Sequence, residues 1–427
     1  GARARRAPAA GASKRPPGLK RFTLSDGSTL LVKRRPQVPL VSFGAFFGGG
    51  FRDEKDAQAG VTSLMTKCLL KGTERLSYAD LSRSVEGLAA HIDPVLEKDY
   101  WGLTGECLSG RLDETFALFR ETLLSPAFRR EEVAKEKQMQ LAALRRLKDD
   151  PADYALLKSD VLTFAGTPYA HPPQGTSGSV SRLSRPEVLA WYGRFLASRN
   201  LTWVAVGDVE EERMRRLVED AARGIPRGKR APSPRPSGRG AALRSYREKN
   251  KGQQANLVLG FRAPHFSHPD YFAFRVMNTL LNGMGGRLFV ELREKKSLAY
   301  SVYAAHEALA AAGIYQVYIG CAPEKQAQAR EGLGRVLADL AAGPIPAEEL
   351  ERAKTYLVGL YQVGQQANRS QLATLARYEM EGLGAEVVQD FPQRVGRVSA
   401  GQVRRAAGKY LKMAEANWVV LEPRTRH

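Results

Sequence analysis

The 427-residue chain has little of what most metal, redox and nucleic-acid chemistry requires. It has 3 cysteines, Cys68, Cys107 and Cys321, and their spacing fits no zinc or redox motif. Each stands among apolar neighbours, which reads as a buried free thiol and leaves the redox compartment open. There are 6 histidines, His91, His171, His265, His268, His306 and His427. Only His265 and His268 have a ligand-like spacing, in a Pro-containing loop with no acid or cysteine to complete a site, so a loop or helix-capping role is expected. No Gly-x-Ser-x-Gly elbow and no phosphate-binding Walker loop occurs. No run of about 18 apolar residues is present, which excludes a transmembrane helix. Acidic residues are also short: 65 Lys and Arg oppose 45 Asp and Glu, a formal charge of +20. Such an excess suits an acidic partner, a nucleic acid or an anionic surface. With no RNA-recognition signature, zinc-finger spacing or aromatic-interleaved basic run, it reads as a solvated basic surface, and no nucleic-acid partner is expected.

What is present is an ordinary globular composition, 43% hydrophobic, in a chain long enough for two domains. Residues 1–19 hold no acid and are rich in Arg, Ala and Pro, so a disordered N-terminal arm is expected there. Strand patterns at 22–24 and 29–33 flank an Asp-Gly turn, and 41–47 is a strand ending in Gly48-Gly49-Gly50. Helical periodicity covers 60–71, 78–89, 112–124, 130–148, 152–165, 186–197 and 209–223, with strands at 90–95, 100–108 and 201–207. A Pro, Gly, Ser and Arg-rich linker spans 224–245. The order then repeats: strands at 255–261, 300–305, 313–321 and 417–421, and helices at 270–281, 286–296, 324–342, 346–362, 368–382 and 400–411. Glu132-Val133 with Lys137, and Glu349-Leu350 with Lys354, share one spacing. Each half also closes on a Trp-containing strand, around Trp203 and Trp418. The expected fold is α+β: two similar domains, 20–223 and 246–427, each a mostly antiparallel sheet with helices on one face.

Two stretches carry the functional argument. The first is Gly60-Val-Thr-Ser-Leu-Met-Thr-Lys-Cys-Leu-Leu-Lys-Gly-Thr73, preceded by Gly48-Gly49-Gly50-Phe51-Arg52-Asp53-Glu54. The second is Asn282-Gly-Met-Gly-Gly-Arg-Leu-Phe-Val-Glu-Leu-Arg-Glu-Lys-Lys-Ser-Leu-Ala-Tyr-Ser-Val302. In the second, Arg293 offers a planar fork of donors and a permanent charge, and Tyr300 offers a phenolic O–H. Both suit a peptide carbonyl on which negative charge develops. The plain alternative is a solvated arginine and a core tyrosine. Gly283, Gly285 and Gly286 give either a bare backbone for an extended peptide or a simple helix-to-helix turn.

Together these stretches resemble the M16 (pitrilysin/insulinase-type) peptidases, and the resemblance runs from about residue 20 to the end. In that family the first helix carries the inverted zinc motif His-x-x-Glu-His. The matching positions here are Ser63, Thr66 and Lys67. Hydroxyls are poor zinc ligands and an ammonium repels the ion. The family's third ligand, a glutamate, aligns near Ala142 or Ala143, and Glu136 lies about two turns too early to replace it. A Ser63–Lys67 dyad is disfavoured inside a helix with apolar neighbours. The resemblance further implies that Arg293 and Tyr300 reach into a site formed with another half, with Ser297 standing where the family usually has glycine. It implies substrate contacts by the turn at Asn282, Gly283, Gly285 and Gly286, and by an edge strand through Ala90, His91 and Ile92 that holds peptide by strand addition.

The expectation is therefore a zinc-free subunit, with no cofactor of its own, of a heterodimeric M16 zinc endopeptidase. Its partner would be a chain with an intact His-x-x-Glu-His motif that holds the zinc, and the substrates would be peptides or unfolded segments. The alternative is a purely structural or binding subunit on the same fold, as in the core subunits of respiratory complexes. Exported bacterial pairs suggest a periplasmic location, with the cytoplasm as the other choice.

Overall fold

Two strands of the first half, Leu40–Gly48 and Leu201–Gly207, are apolar along nearly their whole length instead of alternating. A strand of that kind has to be covered on both faces. The computed structural model describes residues 18–234, 244–250 and 252–424, and shows what covers them. The first half contains β1 (Leu19–Thr23), β2 (Thr29–Arg34), β3 (Leu40–Gly48), α1 (Val61–Leu69), α2 (Tyr78–Gly87), β4 (His91–Leu96), β5 (Tyr100–Leu108), α3 (Leu112–Leu124), α4 (Arg130–Arg146), α5 (Pro151–Thr163), α6 (Ser177–Arg182), α7 (Arg185–Phe195), β6 (Leu201–Gly207) and α8 (Glu211–Ala222). The second contains β7 (Ser245–Asn250), β8 (Ala255–Ala263), α9 (Tyr271–Leu281), a π-helical turn (Phe289–Glu294), β9 (Ser301–Ala308), β10 (Gly313–Cys321), α10 (Gln326–Ala342), α11 (Ala347–Gly364), α12 (Asn368–Met380), α13 (Val387–Gly396), α14 (Ala400–Tyr410) and β11 (Asn417–Pro423).

The sheets run β1-β2-β6-β3-β5-β4 and β7-β11-β8-β10-β9. Apart from β1 the strand orders correspond one to one, and the same pair is parallel in each, β2 with β6 and β7 with β11. The other pairs are antiparallel. The chain is thus a duplicated α+β unit. On one face of the first sheet Phe43, Ala45, Phe47, Trp203 and Ala205 pack with α1, α3 and α7. On the other face, Leu31, Phe46, Val204 and Val206 pack against Leu372, Leu375 and Ala376 of α12, from the second half. The exchange is reciprocal: Tyr154 and Ala155 of α5 pack on Val258, Tyr318, Val419 and Leu421 of the second sheet. Gly260 permits this approach, since a Cβ there would lie 2.3 Å from Thr163 Oγ1 and 2.5 Å from Ser159 Oγ. The expected helices on one face are therefore half of the arrangement; a helix lent by the other domain closes the second face.

Other expectations shift for local reasons. β7, Ser-Tyr-Arg-Glu-Lys-Asn, is a polar edge strand with no apolar alternation to announce it. The linker was drawn through residue 245, yet Ser245 already pairs with Trp418; residues 235–243 of that linker lie outside the described residues. α13 falls where no element was expected, and it carries Pro392 in its interior, a residue that interrupts helical hydrogen bonding. The expected arm reached residue 19, yet Leu19 is buried and pairs with Lys33; residues 1–17 lie outside the described residues. No described helix is long and apolar enough to cross a membrane.

The halves are also joined by buried charge. Asp99, in the turn between β4 and β5, is 1% exposed. Its Oδ1 accepts from Arg52 Nη1 and from the Tyr169 hydroxyl, both at 2.7 Å, and its Oδ2 accepts from the Ala310 amide at 2.8 Å. Asp99→Ala would leave the buried Arg52 guanidinium with the Pro232 carbonyl at 3.1 Å and a long 3.8 Å contact to the Asp53 carboxylate. Chemical denaturation should show a loss of about 3–5 kcal/mol, as for removal of one partner of a buried ion pair; a loss near zero would show that this carboxylate does not hold the halves together.

Candidate functional site

α1 starts at Gly60, whose φ of 93° admits glycine readily and whose Cβ, if present, would lie 2.6 Å from the Gln174 carbonyl oxygen. The Glu54 carboxylate accepts from the Gly60 and Thr62 amides, both at 2.8 Å, and so caps the helix. Burial raises the Glu54 carboxyl, its hydrogen bonds to Thr62 and Gly60 partly offset this, and the net position is about 7. Val61, Leu64, Met65, Cys68 and Leu69 face the core, as the periodicity implied. Ser63 and Thr66 are both 2% exposed, and the Thr66 hydroxyl donates back to the Thr62 or Ser63 carbonyl within its own helix. Lys67 follows on the same helix face, half-buried.

Across from α1 lies α4. Its Glu136 is 3.0 Å from the Lys71 ammonium, and its Gln140 amide donates to the Gly60 and Gln174 carbonyls at 3.0 and 2.9 Å. Ala142 and Ala143 are half-buried and offer no ligand atom in their side chains. A zinc ion needs imidazole, thiolate or carboxylate at these positions. The residues present do not fit it: two hydroxyls and an ammonium face an amide and a carboxylate already engaged by lysine. Among the described residues, no three His, Cys, Asp or Glu side chains gather in a metal-holding group. The three cysteines are free and buried. Burial pushes the Cys68 thiol up to about 12 and the Cys321 thiol to about 11, so neither is a ready thiolate. His268 accepts from the Asp270 amide at 3.0 Å within the loop that leads into α9, while the helix start at Asp270 has no side-chain cap.

The second motif is built differently. The Asn282 amide nitrogen donates to the Asn278 and Ala304 carbonyls, both at 2.8 Å, and its oxygen accepts from the Ala304 amide at 2.8 Å. That side chain clamps the end of α9 to β9; it was expected to contact substrate, and its polar atoms are committed within the protein. Gly286 is needed for the tight turn, since a Cβ would lie 2.3 Å from the Asn282 carbonyl oxygen. Gly283 and Gly285 border open space, with Met284 81% exposed between them. The expected 286–296 helix is a π-helical turn over Phe289–Glu294, closed by Lys295 N–H to the Val290 carbonyl at 3.0 Å. The wider turn keeps Leu288 and Leu292 in the core and leaves Arg293 exposed, its guanidinium 5.2 Å from the Phe289 ring centroid. Ser297, the departure from glycine, has φ 50°. Tyr300 is anchored by its amide to the Gly320 carbonyl at 2.9 Å, and the residue is 59% exposed beside the start of the edge strand β9.

Arg293 and Tyr300 thus present side chains with no hydrogen bond or ion pair to other described residues. β4 is the edge of the first sheet: His91 is exposed, Ala90 and Ile92 are buried, and Ile92 pairs with Gly105 of β5. Sequence reasoning did not single out the cleft of about 270 Å³ between the glycine turn and α11, lined by Leu280, Met284, Ala353 and Tyr356. Of its lining, Met284 and Tyr356 are large apolar side chains left exposed. No described hydrogen bond or ion pair joins α1 to Arg293 or Tyr300, and the two motifs belong to separate cores.

The structure thus defines a two-domain chain of duplicated α+β units, with a first helix that lacks metal ligands and an exposed Arg/Tyr pair in the second unit. The comparisons give its family. Residues 29–172 match the insulinase family (peptidase family M16), and residues 182–357 match the peptidase M16 inactive domain. The chain belongs to the M16 peptidase family. It is 28% identical over 400 residues to an uncharacterized zinc protease of Mycobacterium leprae, covering 92% of this chain and 89% of the relative. It is 27% identical over 424 residues to one of Mycobacterium tuberculosis, covering 98% and 96%. A peptidase M16 inactive domain structure from Pseudomonas fluorescens superposes with a TM-score of 0.88 at 22% identity, over 96% of this chain and 98% of that one. A chain of complex III2 from Candida albicans superposes at 0.82 with 16% identity, over 95% and 96%, which shows a shared fold.

Two outcomes follow. Ser297→Gly removes a left-handed non-glycine residue and should stabilise the protein by about 1 kcal/mol in urea melts; a destabilisation would show that the serine is at ease in this turn. Glu54 binds its proton more tightly in the folded chain, at about 7, than at its ordinary 4.5. Stability from this group is therefore present at low pH and declines as pH rises from 4.5 through about 7. The melting temperature of the native chain relative to Glu54→Gln should fall across that interval; a flat difference would refute the shift.

Proposed function

We propose that this chain is a non-catalytic subunit of a two-chain M16 zinc endopeptidase, and that Arg293 and Tyr300 act in a site whose metal ligands come from a partner with an intact His-x-x-Glu-His helix. One observation carries the reading: Arg293 and Tyr300 are held out to solvent by a built framework, the π-helical turn and the Gly320 hydrogen bond, while α1 offers hydroxyls and an ammonium in place of ligands. The family shown by the sequence matches supports it, as does the separation of the two motifs into different cores.

The chemistry assigned to this chain is binding and polarisation. A guanidinium places two N–H donors in a plane and cannot lose its charge, so Arg293 holds a peptide carbonyl and stabilises the charge that builds on its oxygen. The Tyr300 hydroxyl adds a neutral donor to the same oxygen. An extended peptide or unfolded segment can pair with the free edge of β4, where backbone hydrogen bonds give affinity without demanding a sequence. The metal chemistry belongs to the partner; no residue of α1 takes part in it. The other reading, a purely structural subunit, assigns no role to the exposed pair.

Purified chain and an M16 partner carrying His-x-x-Glu-His should each cleave a fluorogenic peptide poorly alone and cleave it well when mixed. In the mixture Arg293→Ala should lower kcat/KM by about 100-fold, and Tyr300→Phe by about 10-fold or more, on the scale of losing one preorganised donor. A partner fully active alone, or unchanged turnover with both variants, would overturn the reading in favour of a structural role.

A further inference from the structure

The charge excess of +20 is not used by the peptidase reading, and one concavity collects part of it. A pocket of about 290 Å³ opens among the start of α9, the end of α13 and the first turns of α14. Arg394, Arg397, Gln402 and Arg405 line it over Phe272, and Asp270 is its one acid. Asp270 is already occupied: Lys409 Nζ and the Tyr410 hydroxyl both stand 3.0 Å from its Oδ2. Arg394 is steadied over the Phe272 ring at 5.6 Å and lies 3.8 Å from Asp390, a loose contact along its own helix. Arg397 and Arg405 are exposed and make no ion pair with described residues. Arg405 folds back over the bare backbone of Gly401, where a Cβ would lie 3.4 Å from its Nη1. The first turn of α14 is capped by Ser399 and Gln402, so the unmet donor capacity in the pocket belongs to the guanidinium groups.

We infer that this pocket binds a phosphate-bearing anion with two or more negative charges. Three guanidinium groups that share one concavity repel one another unless an anion lies between them. Each presents donors in the planar fork that matches phosphate oxygens. A single carboxylate would balance one of the three charges, whereas a diphosphate balances them together. The volume, roughly ten times a water's share of liquid, suits a diphosphate group rather than a lone small ion. The diphosphate could be free or part of a nucleotide, and the phosphate chemistry is the same in both. The pocket is built from α9, α13 and α14, and neither Arg293, Tyr300 nor the glycine turn lines it, so the inference stands apart from the peptidase reading.

The test is isothermal titration of the full chain with pyrophosphate and, separately, with ADP. Saturable binding is expected, with Arg397→Ala/Arg405→Ala weakening it about tenfold or more. The control Arg216→Ala/Arg223→Ala, which removes two exposed arginines from α8 and the residue that ends it in the other half, should leave it unchanged. Circular dichroism of each variant establishes that it is folded; should the α14 variant fail to fold, Arg397→Gln/Arg405→Gln replaces it. ADP binding more tightly than pyrophosphate would identify a nucleotide as the ligand, and equal affinity a free diphosphate. No saturable binding at about millimolar ligand, or equal weakening by both double variants, would overturn the proposal and reduce the cluster to general surface charge.

Discussion

The arrangement of the two halves turns on one buried carboxylate. Asp99 has no solvent to stabilise its charge, so its oxygens must be supplied with donors from within the protein. They come from three places remote in sequence: Arg52 beyond the glycine turn, Tyr169 after α5, and the Ala310 amide in the hairpin between β9 and β10. The last belongs to the second half, so satisfying the charge fixes how the halves meet. Lys98 beside it does the same with Asp160 and Glu307, at 2.8 and 2.7 Å. A small apolar cluster of Phe51, Phe164, Tyr169, Leu309 and Ile314 meets these pairs, with Tyr169 donating to Asp99 and the Lys98 ammonium 4.8 Å from the Phe164 ring centroid.

This explains why Gly50-Phe-Arg-Asp-Glu54 can keep its resemblance to the zinc peptidases while the ligands of α1 are gone. Each polar residue there has a structural task. Arg52 meets Asp99, Asp53 accepts from the Gly50 amide at 3.0 Å, and Glu54 caps α1. None of these tasks requires a metal. The helix then needs apolar residues toward the core and tolerates small hydroxyls elsewhere, because Ser63 and Thr66 are short and Thr66 satisfies its hydroxyl on its own backbone. Loss of the metal set and retention of the fold are physically independent.

The second motif shows the opposite economy. Its framework residues are spent inward: Asn282 on β9, Gly286 on the turn, Leu288 and Leu292 on the core. Arg293 and Tyr300 are what remains outward. Exposed side chains on a rigid framework, unlike exposed side chains on a loop, point in a defined direction, which is the condition for acting on a substrate or a neighbouring subunit.

How much of this the sequence held depends on the range of the interaction involved. Local periodicity and turn chemistry sufficed for α3, β5, β6 and β10, whose apolar residues or caps announce their own limits. The missing ligands at Ser63, Thr66 and Lys67 were equally plain, since donor chemistry is a property of the residue itself. The duplication was visible as a repeated order of elements. β7 and α13 were not, because a polar edge strand and a proline-containing helix are specified by their neighbours. Nor was the exchange of α5 and α12 between the sheets: the unbroken apolar strands β3 and β6 required a cover on both faces, and only the tertiary structure decided that the other half supplies it. The same holds for the side-chain partners of Asn282 on β9, and for the arginine pocket, whose residues lie on and between α13 and α14 and are brought against the start of α9 by packing. Residue chemistry and short-range pattern belong to the sequence; which distant groups share a buried charge, a sheet face or a cavity is settled by the folded chain, because burial and charge balance are properties of the whole.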